Sequence, residues 1–163
     1  MHEESPLTVR ARRLDDDEAP PPSRFERLAR PVVGASPGTL AITSDERPDI
    51  YLIDYGEHGF AEHPLKRIDD CIPYLIDEKP SITWIDVRGI GHAETFHRLG
   101  EIFKLHPLAL EDVVNVPQRS KSDVYEGHQL IIARMVRVDD EHRGQSEQLG
   151  ILVGEDGPGG IVF

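Results

Sequence analysis

Three runs of adjacent acids are the residues best suited to chemistry in this chain: Asp69-Asp70, Glu111-Asp112 and Asp139-Asp140-Glu141. Paired carboxylates supply hard oxygen ligands for a divalent cation, or an acid and a base for proton transfer. Asp69-Asp70 is accounted for as the cap of a following helix, and Asp139-Asp140-Glu141 as a polar hairpin loop. Glu111-Asp112 stands apart. It falls near the middle of a short apolar segment, Leu108, Ala109, Leu110, Val113 and Val114, where the helix dipole helps an acid less than in the first turn. Neighbouring helical residues diverge by about 100°, so the two carboxylates do not chelate one ion together. Each can give an oxygen to a cation that bridges to another surface, and Mg²⁺, which keeps most of its waters and takes one or two carboxylates, suits that role. The solvated face of an amphipathic helix has the same pattern.

Other candidate chemistries lack a part. The chain has eight histidines, but His92 and His97 are five apart, which puts them on different faces of a helix, whereas a zincin pair needs four. His58 and His63 flank a turn without an indicated third ligand. Capping or exposed histidines are the better account. Val87-Arg88-Gly89-Ile90-Gly91-His92-Ala93-Glu94 follows a strand and opens a helix as a dinucleotide fingerprint does. Its third glycine position, however, is Glu94, a carboxylate where a pyrophosphate belongs. The glycine-rich Gly154–Gly160 segment has no following Lys-Ser/Thr and reads as a turn. The single cysteine, Cys71, permits no internal disulfide or multi-cysteine zinc site, and among Ile72, Pro73, Tyr74 and Leu75 it reads as a buried, inert thiol. No Gly-x-Ser-x-Gly elbow supplies another nucleophile.

The elements that must position these residues lie in a 163-residue chain with 38% apolar and 29% charged residues, enough for one domain with its own core. Lys plus Arg number 18 against 30 Asp plus Glu, a net charge of −12. Such a surface repels nucleic-acid backbones, so no nucleic-acid partner is expected, and it attracts cations. The longest apolar run in the second half, Leu130–Ala133, falls far short of the ~18 residues a membrane span needs, and the first residues carry no signal-peptide core. The expectation is a soluble chain.

Residues 1–36, with mixed charges and the triplet Pro20-Pro21-Pro22, read as a disordered tail with at most a weak helix at Arg24–Arg30. The folded domain is expected over 37–163. Alternation in Ile50–Tyr55 and Phe60–Leu65 around Gly56-Glu57-His58-Gly59 predicts a hairpin. A helix follows from Asp69-Asp70 to about Glu78, with Pro73 in its first turn and Pro80 closing it. Ser81–Val87, apolar on both faces, predicts a central strand covered on both sides. Ala93–Leu105 and Pro107 to about Asn115 predict two helices, the first with Phe96, Leu99 and Phe103 on one stripe. Ser122–Tyr125 and Gln129–Val138 predict a second hairpin, and Gln148–Val153 and Gly160–Phe163 two short last strands. Helices and strands mixed with hairpins predict an α/β fold: an α-β-α sandwich with a mixed parallel and antiparallel sheet.

Together these residues resemble the soluble N-terminal region of the CorA family of divalent-cation transporters. The resemblance rests on Trp84-Ile85, on Gly89 with the helix to Phe103, and on His106-Pro107-Leu108 running into Leu110-Glu111-Asp112. Asn115-x-x-Gln118-Arg119 and a hairpin ending Ile131–Met135 follow in register. Pro37-Gly38-Thr39-Leu40 looks like the family's first strand, and Glu147-Gln148-Leu149 like a later one. Pro117 and Ser120 depart from the family pattern around Gln118-Arg119.

The resemblance implies a cytoplasmic domain of a Mg²⁺/Co²⁺ transporter that is a homopentamer at full length, with this domain alone a monomer or weak oligomer. It implies divalent ions held between subunits in the closed state, with Glu111 and Asp112 as ligands by motif match and partner carboxylates on the neighbour's stalk helix. It further implies a stalk and two membrane spans, which these 163 residues do not contain. Zn²⁺-transporting relatives share the architecture. Two other readings are a free-standing metal-assisted hydrolase, which needs three or more His, Asp or Glu side chains converging in one pocket, and an interaction module that joins full-length relatives.

Overall fold

A computed structural model describes residues 33–57, 59–76, 81–138, 142, 144–154 and 159–163. The expected tail up to residue 32, the helix at Arg24–Arg30, His58, the end of the first expected helix, the Asp139-Asp140-Glu141 loop and residues 155–158 of the glycine-rich turn lie outside the described residues.

The first hairpin pairs β1 (Asp49–Gly56) with β2 (Gly59–Leu65) in the register Ile50↔Leu65 to Gly56↔Gly59. A single 3₁₀ turn (Ile68–Cys71) runs into the one-turn helix α1 (Ile72–Leu75). Asp70, at the third position of the 3₁₀ turn, caps the start of this helical segment: its Oδ2 accepts the N–H of the N-cap residue Arg67 at 3.0 Å, while Asp69 Oδ1 accepts from Arg98 Nε at 2.7 Å. The central strand β3 (Ile82–Arg88) leads to α2 (Ala93–Phe103) and α3 (Pro107–Val114). The helix α2 ends two residues before the predicted limit because Lys104 turns left-handed, at φ 53°. Then come β4 (Lys121–Tyr125), β5 (His128–Val138), β6 (Gly144–Gly154) and β7 (Gly159–Val162).

The strands form one sheet in the order β2-β1-β3-β7-β6-β5-β4. Among the described residues only β3 and β7 run parallel, through Thr83↔Gly159 to Asp86↔Val162; the other neighbours are antiparallel. The mixed sheet and the α/β class are as expected. One strand is not: β6 is far longer than the predicted Gln148–Val153 and pairs with β5 from His128↔Gly154 to Val138↔Gly144. Its first half, Gly144-Gln145-Ser146-Glu147, is polar on both faces, so no apolar alternation announced it.

One face of the sheet carries the core. Ile50, Leu52, Ile85, Val87, Leu130, Ile132, Leu152 and Ile161 alternate inward and meet Phe96 and Leu99 of α2, Leu110, Val113 and Val114 of α3, and Ile68 and Cys71. Burying such large apolar side chains is the main force holding the layer of helices to the sheet, each contributing about 1.5–3 kcal/mol. Phe96 is fully buried and stacks on Phe163 at 5.7 Å between ring centroids. All described helices lie on this face. The second helical layer of the expected sandwich has no counterpart among the described residues, and Tyr51, Ile53, Trp84, Ile131, Ile151 and Val153 on the opposite face are only half-buried. Along β3, Ile85 and Val87 are buried on the core face, whereas Trp84 and Asp86 on the other face are half-buried.

Candidate functional site

The helix α3 presents Glu111 and Asp112 at the β4 edge of the sheet. Its start is set by His106, whose Nδ1 accepts the Leu108 N–H at 3.2 Å, and by Pro107 in the first turn, where no amide hydrogen is needed. Ala109, Leu110, Val113 and Val114 face the core, which turns the two acids outward. At its end the Asn115 N–H closes on the Glu111 carbonyl at 2.9 Å. The chain then passes through the cis Val116–Pro117 peptide to Gln118 and into β4.

The two carboxylates diverge, as their helical spacing requires. Glu111 Oε2 accepts the Gly38 N–H at 2.6 Å. The Pro37-Gly38-Thr39-Leu40 segment, expected as a strand, is instead a turn laid against α3, closed by the Thr39 N–H on the Ser36 carbonyl. Gly38 has φ 84°, and a Cβ there would come within 2.7 Å of Pro107 Cβ, so the backbone approaches α3 as closely as only glycine allows.

Asp112 points the other way and is held by three side chains of its own chain. Oδ1 accepts from Gln118 Nε2 at 2.8 Å; Oδ2 accepts from Lys121 Nζ at 2.6 Å and Tyr125 Oη at 3.0 Å. Gln118 Nε2 also donates to the Asp112 carbonyl, and the Gln118 N–H donates to Gln148 Oε1 at 2.7 Å, which ties the end of α3 to β6. Lys121 reaches a second acid, Asp123 Oδ2, at 2.9 Å. Tyr125 also stacks on His106 at 5.1 Å, pinning β4 to the start of α3.

Charge and burial act against each other here. Burial raises the Asp112 pKa, but the hydrogen bonds from Lys121, Gln118 and Tyr125 and the charge of Lys121 outweigh it, and the carboxyl lies below its ordinary value. For Lys121, burial disfavours the ammonium, yet its bonds to Asp112 and Asp123 hold its pKa above the ordinary value. Burial and the Asp112 carboxylate push the Tyr125 phenol up to about 12.

Glu111, Asp112, Lys121, Asp123 and Tyr125 thus line one shallow, open depression, together with Leu108 and Val124. Those two apolar side chains are 38% and 75% exposed, an apolar rim beside a charged centre. Glu111, Asp112 and Asp123 are hard oxygen donors of the kind Mg²⁺ takes, which fits a divalent cation chemically. Among the described residues, no three His, Cys, Asp or Glu side chains converge as a complete metal site. Any cation here would need oxygens from water or from another surface.

Gln118, Lys121, Asp123 and Tyr125 carry much of this arrangement, and sequence reasoning did not assign them a role. Their signal was the alternation Lys121, Asp123, Tyr125, three polar-tipped side chains on one face of a strand.

The remaining candidate residues serve the fold. His92 Nδ1 caps α2 by accepting the Thr95 N–H at 3.3 Å, and His63 packs on Tyr74 at 5.0 Å. A Cβ on Gly91 would stand 2.7 Å from the Glu46 carbonyl and 3.0 Å from Ser44 Oγ. The close approach at this glycine is therefore to the chain's own backbone, where a dinucleotide would have placed its pyrophosphate. Cys71 is fully buried, and burial pushes its thiol up to about 11.

No family model matches the chain. It is similar to the cobalt/magnesium transport protein CorA of Thermotoga maritima, with 34% identity over 123 residues, 74% of this chain and 34% of that protein. The chain therefore spans about a third of the length of this curated relative. The structure of the full-length CmaX protein matches with a TM-score of 0.50 and 20% identity, over 74% of this chain and 36% of that one. At that identity the likeness is one of fold.

Proposed function

The chain belongs to the CorA family, and on that footing we propose that it is a regulatory domain of a Mg²⁺/Co²⁺ transporter, placed on the cytoplasmic side. In this reading it binds divalent cations where two subunits of a homo-oligomer, a pentamer by family resemblance, meet. Glu111 and Asp112 are its ligands, and the ion senses cation supply and controls gating without being carried by this domain.

The observation that supports this most is the depression at α3 and β4. Its acids diverge, lie half-buried in an open depression, and are flanked by exposed Leu108 and Val124. Apposed carboxylates from two copies repel each other; a dication between them removes the repulsion. Occupancy then favours the arrangement with subunits close together, because a ligand shifts an equilibrium toward the state it binds better. The oxygen-only donor set suits Mg²⁺. That no helix among the described residues is long and apolar enough to cross a membrane is in keeping with a domain outside the pore.

The test is titration calorimetry of the chain with Mg²⁺. Weak binding, lost in Asp112→Asn, is the expected result, since one copy supplies only part of a coordination shell. Micromolar affinity in a monomer, or binding indifferent to Glu111 and Asp112, overturns the reading.

A further inference from the structure

We propose that Lys121 is a built-in competitor for the divalent cation, an ammonium on a tether that must leave Asp112 and Asp123 before a metal ion can take Asp112 Oδ2. The inference rests on the reading of Glu111 and Asp112 as ligands and adds what sets their occupancy.

The geometry carries it. Nζ of Lys121 lies 2.6 Å from Asp112 Oδ2 and 2.9 Å from Asp123 Oδ2, between one carboxylate on α3 and another on β4. It is itself a cation in a two-carboxylate cradle, in the place where a metal ion would draw on the same oxygens. Lys121 and Tyr125 together take both lone pairs of Asp112 Oδ2, and Gln118 takes one of the two on Oδ1. A metal ion on Oδ2 must displace one of its two donors, and the ammonium is the one whose positive charge it also repels.

Lysine suits this role better than arginine. Its charge is a point on a flexible four-carbon stem, with no planar fork to lock two carboxylates in register. The stem starts on β4, a strand at the edge of the sheet, and the side chain is 31% exposed, so solvent is within reach when the ammonium is displaced. Because the site is competent only when the ammonium has left, apparent affinity falls by the fraction of time it is seated. A tight site becomes one that fills only at higher cation concentration, which is what a sensor of abundant cation needs.

The test compares the wild-type chain, Lys121→Met, Lys121→Arg and Asp112→Asn by Mg²⁺ titration calorimetry, with Mg²⁺-induced shifts in Tm as a second readout. Removing the ammonium should tighten Mg²⁺ binding about three- to tenfold and enlarge the Tm rise on adding Mg²⁺. Arginine should weaken binding, and Asp112→Asn should abolish it. In the wild-type chain, NMR of ¹³C-labelled lysine side chains should show the Lys121 signal moving with the same midpoint as Mg²⁺ binding, which keeps the test decisive if a variant fails to fold. Binding that needs Asp112 but is no tighter in Lys121→Met, or a Lys121 signal unmoved by bound Mg²⁺, overturns the competitor and leaves the reading of the ligands standing. No Mg²⁺ binding in either wild type or Lys121→Met, or binding unchanged in Asp112→Asn, overturns both.

Discussion

The N–H of Gly38 lies 2.6 Å from Glu111 Oε2, a hydrogen bond that joins residues 73 positions apart and seats the Pro37-Gly38 turn on α3. A charged acceptor makes such a bond stronger than a neutral one. Replacing Gly38 by alanine sets a Cβ against Pro107 in a backbone conformation that disfavours side chains. The expected loss is about 1–3 kcal/mol, measured by urea unfolding. Glu111→Gln, which keeps an acceptor for Gly38, should cost less than Glu111→Ala. Equal losses would show that the bond contributes nothing.

Acid should release the α3–β4 contact through Asp112. Its folded pKa lies below the unfolded value, so it contributes stability that is complete above the unfolded pKa, about 3.9, and is lost as pH falls through the folded one. Partial exposure screens the effect, and its size is on the order of 1 kcal/mol or less. Unfolding curves for wild type and Asp112→Asn should therefore differ near neutral pH and converge at strongly acidic pH. A difference that stays constant down to pH 2 would rule out the carboxylate as its source. At the alkaline end, the Tyr125 pKa near 12 makes its protonated form a source of stability below the unfolded value of about 10, which fades as pH rises toward the folded one.

Cys71 should be unreactive in the native protein. It is fully buried, and its thiol is pushed up to about 11, so almost no thiolate meets solvent at pH 8. Alkylation by a small maleimide should proceed only through opening of the fold, and denaturant should accelerate it by orders of magnitude. Rapid native labelling would contradict the packing of the 3₁₀ turn beneath α2.

Much of the fold was legible because its signals are local. The alternation of Ile50, Leu52 and Tyr51, Ile53 marks β1; Phe96 and Leu99 mark the buried stripe of α2; Pro107 marks the start of α3. Where local signals were weak or shared, the chain alone misled. Of the two acids read as a helix cap, only Asp70 caps, on the Arg67 N–H; Arg98, on an element far along the chain, takes Asp69. The polar half of β6 became a strand only because β5 lay beside it to complete its hydrogen bonds.

For the site, the sequence alone determined that Glu111 and Asp112 diverge, since 3.6 residues per turn leaves adjacent side chains no other course. What each acid meets was decided by tertiary structure alone. Gly38 reaches Glu111 from 73 positions earlier in the chain, and Lys121 and Tyr125 reach Asp112 because β4 folds back beside α3. Side-chain periodicity is a property of one element, whereas the partner of a charge depends on which elements pack together, and the shared core settles that.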